Sequence, residues 1–271
     1  TDADSNEFTF ERNDFGKPTK MTLPDPDGAG PLGDLVTEYT WSESHNLTKM
    51  TLPGSTEMDP IERTWDYDST FNKVTKFTDE LGRITTYVVD SSYGDVTSMT
   101  RVIGEIDDPM NNGETDDLET TYTYTPKPTM GATLPGGLLL TITDPLSVLT
   151  TYAYEDVDTA SDFGWLASIT FADGSTDETE VNYEYDTAGN TTAVVDGLSY
   201  RTEYEFDTLR RMTSMTLPDP DGAGSLTAPE IDYAYDAMGN LTKVTDPLDN
   251  DTQYDFDDLY RVTKITYADP D

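Results

Sequence analysis

The chain of 271 residues has no cysteine, one histidine, and 16 Lys+Arg against 54 Asp+Glu. Each shortage excludes a class of chemistry. Without Cys there are no disulfides, no thiol nucleophile and no thiolate metal site. With His45 as the sole imidazole there is no His-based metal cluster. A formal charge of -38 makes nucleic acid and anionic membrane surfaces poor partners, because affinity for both is carried by Lys and Arg. No apolar run approaches the length of a membrane span; Leu138-Leu-Leu-Thr-Ile142 is too short and reads as a buried strand. Helical periodicity is almost missing as well. Aromatic residues make up 11% of the chain within a hydrophobic share of 35%, so any core must lean on Tyr, Phe and Trp more than on aliphatics. That composition, heavy in Thr, is a β composition.

What the chain has in quantity is one motif, clearest at Tyr233-Ala-Tyr-Asp-Ala-Met-Gly-Asn-Leu-Thr-Lys-Val-Thr-Asp-Pro-Leu248. Tyr233 and Tyr235 share one face of an extended strand. Asp236 then opens a turn, and Gly239 three residues later fits a type I turn followed by a left-handed residue. Leu241 to Thr245 supplies the returning strand, and Asp246-Pro247 stops it because Pro cannot donate to a ladder. One copy is one β-hairpin.

Clear copies carry Tyr185-Asp186, Phe206-Asp207, Tyr235-Asp236 and Phe256-Asp257. Asp186 and Asp236 stand 50 residues apart, as do Asp207 and Asp257, so the unit is a double repeat. One half has Gly-Asn in its turn (Gly189-Asn190, Gly239-Asn240) and the other Leu-x-Arg (Leu209 to Arg211, Leu259 to Arg261). Weaker copies begin at Phe8, Tyr39, Trp65, Tyr87, Tyr122 and Tyr152, which gives about ten hairpins in one continuous array over residues 1–271. The array is most regular over 179–271, and residues 104–118 read as an exposed loop. In the turns at Asp68 and Asp90 an aromatic, Phe71 or Tyr93, precedes the turn residue and is expected to fold back over its own hairpin. His45 stands where other copies have Gly, in a turn that wants positive φ. Both ends cut into the pattern, and the chain starts at Thr1, so the sequence is expected to be an excised part of a longer repeat.

Tyr235-Asp236, Gly239-Asn-Leu-Thr242 and Asp246-Pro-Leu248 together resemble the YD-repeat (Rhs-repeat) family, whose repeat shell also occurs in teneurins and insecticidal toxin-complex proteins. The resemblance implies a hollow β-shell. From the residues themselves, about twenty strands in one closed sheet would have to enclose a lumen. The expected fold is all-β: tandem hairpins in a spiralling sheet, hollow shell or tube-like solenoid.

No catalytic residue and no cofactor is assigned. Paired carboxylates such as Asp107-Asp108, Asp116-Asp117 and Asp257-Asp258 are expected by chance in so acidic a chain. Weak calcium candidates are the carboxylates of Leu23-Pro-Asp-Pro-Asp-Gly-Ala-Gly30 and its second copy at Leu217 to Gly224: Asp25, Asp27, Asp219 and Asp221. None sits in an EF-hand pattern. Three of the four Asn-x-Thr sequons, at Asn46, Asn190 and Asn240, are the repeat's own turn, with the fourth at Asn250. The aromatic-x-aromatic pairs read as packing, with sugar stacking the lesser alternative. The expected function is a non-enzymatic structural segment of an extracellular or cell-surface protein, associating with itself end to end, with a toxin-encapsulating shell and a glycan-binding adhesion module as alternatives. The resemblance implies a bacterial source.

Overall fold

A computed structural model describes residues 8–24, 35–53, 61–103, 116–126, 136–155, 164–172, 178–222 and 224–268. Asp25, Asp27, Asp107 and Asp108 lie outside these residues. The described structure has twenty strands. It divides into two units, Thr1–Thr123 with Thr143–Leu146, and Tyr124–Ile142 with Ser147–Asp271.

The first unit carries β1 (Thr9–Arg12), β2 (Pro18–Leu23), β3 (Leu35–Trp41), β4 (Leu47–Leu52), β5 (Ile61–Tyr67), β6 (Val74–Thr78), β7 (Ile84–Val89), β8 (Val96–Arg101) and β9 (Leu118–Tyr124). The second carries β10 (Leu139–Thr143), β11 (Leu149–Tyr154), β12 (Leu166–Ala172), β13 (Thr179–Tyr185), β14 (Thr191–Val195), β15 (Arg201–Phe206), β16 (Met212–Thr216), β17 (Glu230–Tyr235), β18 (Leu241–Thr245), β19 (Asp251–Phe256) and β20 (Val262–Thr266). Within each unit the strands form an antiparallel meander. Alternate connections therefore fall on opposite ends of the strands. The aromatic-Asp turns share one end of each unit, and the turns at Asp79, Asp196 and Asp246 lie at the other.

The register explains the sequence periodicity. The aromatic two residues before the slip lies opposite an apolar residue of the returning strand: Tyr39 with Met50, Tyr87 with Met99, Tyr183 with Val194, Tyr204 with Met215, Tyr233 with Val244, and Tyr254 with Ile265; in the first hairpin Phe10, and not Phe8, takes this position, opposite Met21. Alternation puts acids and small or basic residues on the opposite face, as in Glu184 with Ala193, Glu205 with Ser214 and Asp255 with Lys264. Among the described residues strand contacts run between sequence neighbours, and the shallow burial of the strands leaves no second layer over them. The buried apolar residues are Val102 and Ala193, the buried polar ones are Thr37, Ser98, Thr125, Ser168 and Ser214, and no large side chain is fully enclosed.

The hairpins slip register once, usually just before the second aromatic, as between Glu184 and Tyr185 or Ala234 and Tyr235, with Arg12 and Val89 at that position in two of them. The extra residue on the returning strand is usually Thr. Its hydroxyl donates to the carbonyl across the interrupted ladder: Thr48 to Thr40 at 3.1 Å, Thr242 to Ala234 at 3.1 Å, and Thr263 to Asp255 at 3.2 Å. A bulge that would leave a ladder carbonyl short of a donor is satisfied by the residue that makes it.

The turns are closed by the side chain of their first residue. Asp236 Oδ1 accepts the amides of Met238 and Asn240, both at 2.9 Å, and Oδ2 accepts Asn240 Nδ2 at 2.7 Å. Asp186 with Asn190 and Asp246 with Asn250 repeat the arrangement, while Asp207 and Asp257 take Arg211 and Arg261 Nε instead, at 2.7 and 2.8 Å. The fourth turn position has positive φ: 84° at Gly189, 94° at Gly239 and 63° at His45. Phe71 reaches beyond its own hairpin. Its ring lies where a Cβ on Gly94, in the next aromatic-Asp turn, would stand, 2.5 Å from Phe71 Cγ. An array with one layer gives a turn aromatic more contact against the neighbouring turn than against its own strands.

Hydrogen bonds from Asn190, Asn240, Asn250 and Arg261 hold the carboxyls of Asp186, Asp236, Asp246 and Asp257 below the usual carboxylate range, and the Arg211 amide does the same for Asp207. A folded-state pKa below the unfolded value contributes stability that is complete above the unfolded pKa, about 4, and is lost as pH falls through the folded value. Thermal unfolding followed by circular dichroism at pH 7, 5, 4 and 3 is expected to give a midpoint that drops steeply below pH 4. A midpoint unchanged at pH 3 would sink this account of the turns.

Candidate functional site

Among the described residues no group of three or more acids and histidines is arranged to hold a metal ion. Asp219 and Asp221 spend their carboxylates on their own loop: Asp219 Oδ1 accepts the Asp221 amide at 3.1 Å, and Asp221 Oδ2 accepts those of Ser225 and Leu226 at 2.9 and 3.2 Å. What recurs is a joint between successive hairpins, and it is built where the second aromatic of one hairpin meets the turn of the preceding one.

Two kinds of contact make the joint. The residue closing one turn covers the second aromatic of the next hairpin. Lys17 Nζ lies 5.2 Å from the centre of the Trp41 ring, Trp165 packs 5.2 Å from Tyr185, and Arg211 Cζ lies 4.7 Å from the Tyr235 ring. The aromatic in turn reaches back with its polar atom to the first residue of the preceding returning strand. Trp41 Nε1 donates to the Pro18 carbonyl at 2.7 Å, Tyr67 Oη to Leu47 and Tyr154 Oη to Leu139 at 2.8 Å, and Tyr185 Oη to Leu166 at 3.0 Å. Burial pushes the phenols of Tyr67, Tyr154 and Tyr185 up. A phenol that is partly desolvated and hydrogen-bonded is fixed in one rotamer, and so is the hairpin that carries it.

Arg211 does most at one joint. Its Nε is on Asp207 in its own turn, its Nη1 donates to the Asp236 carbonyl at 3.0 Å, and its plane covers Tyr235. Phe206 and Phe256 occupy the same position as Tyr185 and Tyr235 but have no hydroxyl, and the turns before them close with Asn190 and Asn240, which are too short to leave their own Asp. Turn packing adds a further contact. A Cβ on Gly189 would stand 2.9 Å from Trp165, and Phe15 lies 4.2 Å from His45.

The opposite face is held by ion pairs. Arg201 donates to both Glu184 oxygens at 2.6 and 2.7 Å and to Glu203 at 2.7 Å. Glu184 and Glu203 flank Ala193 in the register, so the guanidinium spans the strand between them and Ala193 is fully enclosed beneath it. Glu184 holds the Arg201 pKa high, and Arg201 lowers that of Glu184.

The twelve repeat-defining residues thus divide. Asp186, Gly189, Asn190, Asp207, Asp236, Gly239, Asn240 and Asp257 build turns; Tyr185 and Tyr235 build joints, and Phe206 and Phe256 stand at the same position without either contact. Sequence reasoning missed the bulge Thr and the outward reach of Arg211. Both had a visible signal: Thr recurs at one position of nearly every returning strand, and Arg alternates with Asn at the close of the regular turns.

The RHS repeat model matches residues 185–223 and 235–270, the span where the turns are most regular. The chain carries RHS repeats. Solved structures with the same fold include TcdB2-TccC3 without its hypervariable C-terminal region, at a TM-score of 0.66 and 16% identity, with 94% of this chain and 12% of that one covered. TcdB2-TccC3-TEV matches at a TM-score of 0.65 and 16% identity, over 97% of this chain and 13% of that one. The Photorhabdus luminescens Tc holotoxin pore matches at 0.56 and 16% identity, over 97% and 15%. The chain therefore spans about an eighth of the length of the structures it matches. No curated protein matches it in sequence. The fold expected from the repeat, all-β tandem hairpins of the RHS shell type, is the fold found.

Substitutions at the joints separate their parts. Tyr185→Phe is expected to cost about 0.5–1.5 kcal/mol, one hydrogen bond. Arg211→Asn keeps a clip to Asp207 of the kind made by Asn190 but cannot reach Tyr235 or the Asp236 carbonyl, and is expected to cost about 1–2 kcal/mol. Urea unfolding curves measure both. Wild-type midpoints in either variant would mean that the joint is contact without energy.

Proposed function

We propose that this chain is a structural, non-enzymatic segment of a bacterial RHS-repeat protein, working outside the cell or at its surface, where it forms part of the wall of a β-shell, tube or fibre. The observation that carries this reading is the joint itself. The same contact joins hairpins in both units, the sheet has no second layer among the described residues, and the polar groups of turn and joint are occupied with one another. Material built this way is a wall. The formal charge of -38 keeps such a wall hydrated and opposes disordered clumping. Its partner is more of the same repeat, along one chain or between chains.

A second reading is favoured by the likeness to TcdB2-TccC3: the wall belongs to a closed shell around a toxin cargo. Sugar stacking has less support, since the paired aromatics are partly covered by their neighbours.

Electron microscopy of the purified native material, with its mass measured alongside, tests both. A tube or filament with a regular axial repeat is expected for a structural polymer. Closed particles with internal density would move the assignment to a cargo shell, and compact monomers with no extended or hollow form would end the wall reading.

A further inference from the structure

Register between two antiparallel strands is fixed by the type and length of the turn that joins them. At the end away from the aromatic-Asp turns the chain meets this demand with two kinds of connection. Between β6 and β7, β14 and β15, and β18 and β19 it crosses in the five residues 79–83, 196–200 and 246–250. Each crossing is clipped by its Asp. Asp196 Oδ1 accepts the amides of Leu198 and Tyr200, both at 2.9 Å, Asp246 Oδ1 those of Leu248 and Asn250 at 2.8 and 2.9 Å, and Asp79 Oδ1 those of Leu81 and Arg83, both at 2.9 Å. Pairing resumes at once, with Thr78 opposite Ile84, Val195 opposite Arg201 and Thr245 opposite Asp251. Between β2 and β3, β12 and β13, and β16 and β17 the connections are longer: 24–34, 173–178 and 217–229.

The joints follow the same division. A full clamp, a cover on the second aromatic together with a hydrogen bond between the two hairpins, stands after each of the three longer connections. Lys17 and Pro18 hold Trp41, Trp165 and Leu166 hold Tyr185, and Arg211 covers Tyr235 while bonding the Asp236 carbonyl. After the three clipped crossings the same position holds Val89, Phe206 and Phe256, whose side chains have no polar atom to reach with. Tyr67 and Tyr154 have the reach without a cover among the described residues, the first after residues 53–60 and the second after the turn at Asp144, so the division lies in the full clamp. The backbone does not account for it: Ala193 to Val195 pair with Arg201 to Glu203, and Ser214 to Thr216 with Glu230 to Asp232, the same length of ladder.

We infer that the clamp is a register device, setting the alignment of two hairpins where the connection between them is too long to do so. A slip of one residue is already forbidden, because it sends every side chain to the wrong face. A slip of two keeps both faces, and a connection as long as 217–229 permits it. Arg211 is the positioning residue that excludes it. Anchored on Asp207 in its own turn, the guanidinium meets Tyr235 and the Asp236 carbonyl in the alignment that sets Met215 opposite Ile231. A slip of two carries both of those partners about 7 Å away. The connection is thereby released from holding the sheet and is free in length and sequence. Pro24 to Gly30 and Pro218 to Gly224, the same seven residues and unlike the repeat around them, fall in two of the released connections. The device belongs to the sheet whatever the sheet encloses.

A chain without cysteine gives a clean test. Ser214→Cys is combined with Asp232→Cys, its partner in the register, or with Glu230→Cys or Ala234→Cys, its partners after a slip of two in either direction. Disulfide yield under mild oxidation is compared in the parent chain, in Arg211→Asn, in a chain whose residues 217–229 are replaced by the sequence of 196–200, and in that shortened chain with Arg211→Asn. In the parent the Ser214 and Asp232 positions are expected to dominate. Arg211→Asn is expected to raise the slipped share about fivefold or more, and the short turn to return it to the parent level. Native pairing undisturbed by Arg211→Asn would overturn the inference, since the pattern of faces would then set register unaided. A slipped share that persists behind the short turn would overturn it too, because the clamp would not be standing in for a turn. If Arg211→Asn unfolds the sheet outright, circular dichroism of the shortened chain with the same substitution decides: recovery of the strand signal supports the device, and failure to recover overturns it.

Discussion

The structure depends on one constraint: its sheet has no second layer among the described residues to pack against. In an ordinary sandwich the hydrophobic effect acts between layers, and the sheet's own side-to-side contacts are secondary. Here the sequence of dependence is reversed. With Val102 and Ala193 as the buried apolar residues, transfer free energy is gathered in strips along the sheet, where each aromatic leans on the residue opposite and on the neighbouring hairpin. Large flat side chains suit that task, because a ring covers area in two directions while standing on one strand. The few aliphatics and many tyrosines of the composition follow from it.

A thin sheet also has two wet sides, and charge has to be reconciled with strand pairing. The polar face does this by placing Ala or Ser in the middle of a returning strand and acids on either side of it, as Ala193 sits between Glu184 and Glu203. The small residue leaves room for a long cation to lie across it, and Arg201 does so. Such an exposed bridge contributes little by itself. Its value is in cancelling the repulsion that two acids on nearby strands would otherwise bring to a chain of net charge -38.

Hairpin, turn type and repeat period were all legible in the sequence, because each is a local matter: Asp with Gly three residues on, and apolar residues at alternate positions, have few other solutions. The joints were less legible. That Tyr185 Oη ends on the Leu166 carbonyl depends on where the preceding hairpin lies, and spacing along the chain does not contain that. Phe71 illustrates the same limit. Within its own hairpin the fold-back over the turn is reasonable, and only the presence of the next turn, with Gly94 leaving space for a ring, makes the longer reach better. Thr242 belongs by its β propensity in the returning strand; its further use as the donor that completes a bulge needs the register.

The alternation of Arg and Asn at the close of the turns then has a mechanical meaning. After an Arg turn the next aromatic is Tyr235, capped by a guanidinium that is anchored to Asp207 on one side and to the Asp236 carbonyl on the other. After an Asn turn it is Phe206 or Phe256, and the Asn stays with its own Asp. At those joints the polar face supplies the coupling: Arg201 crosses to Glu184 at the first, and Asp251 receives Lys243 and the Thr245 hydroxyl at the second. Exposed ion pairs are weaker than a partly buried cation over a ring that also holds a backbone carbonyl. In an array where each hairpin touches only its neighbours, stability is a sum of unit and interface contributions. Unequal interfaces set the two hairpins joined by an Arg turn apart as a pair, in step with the 50-residue period of the sequence.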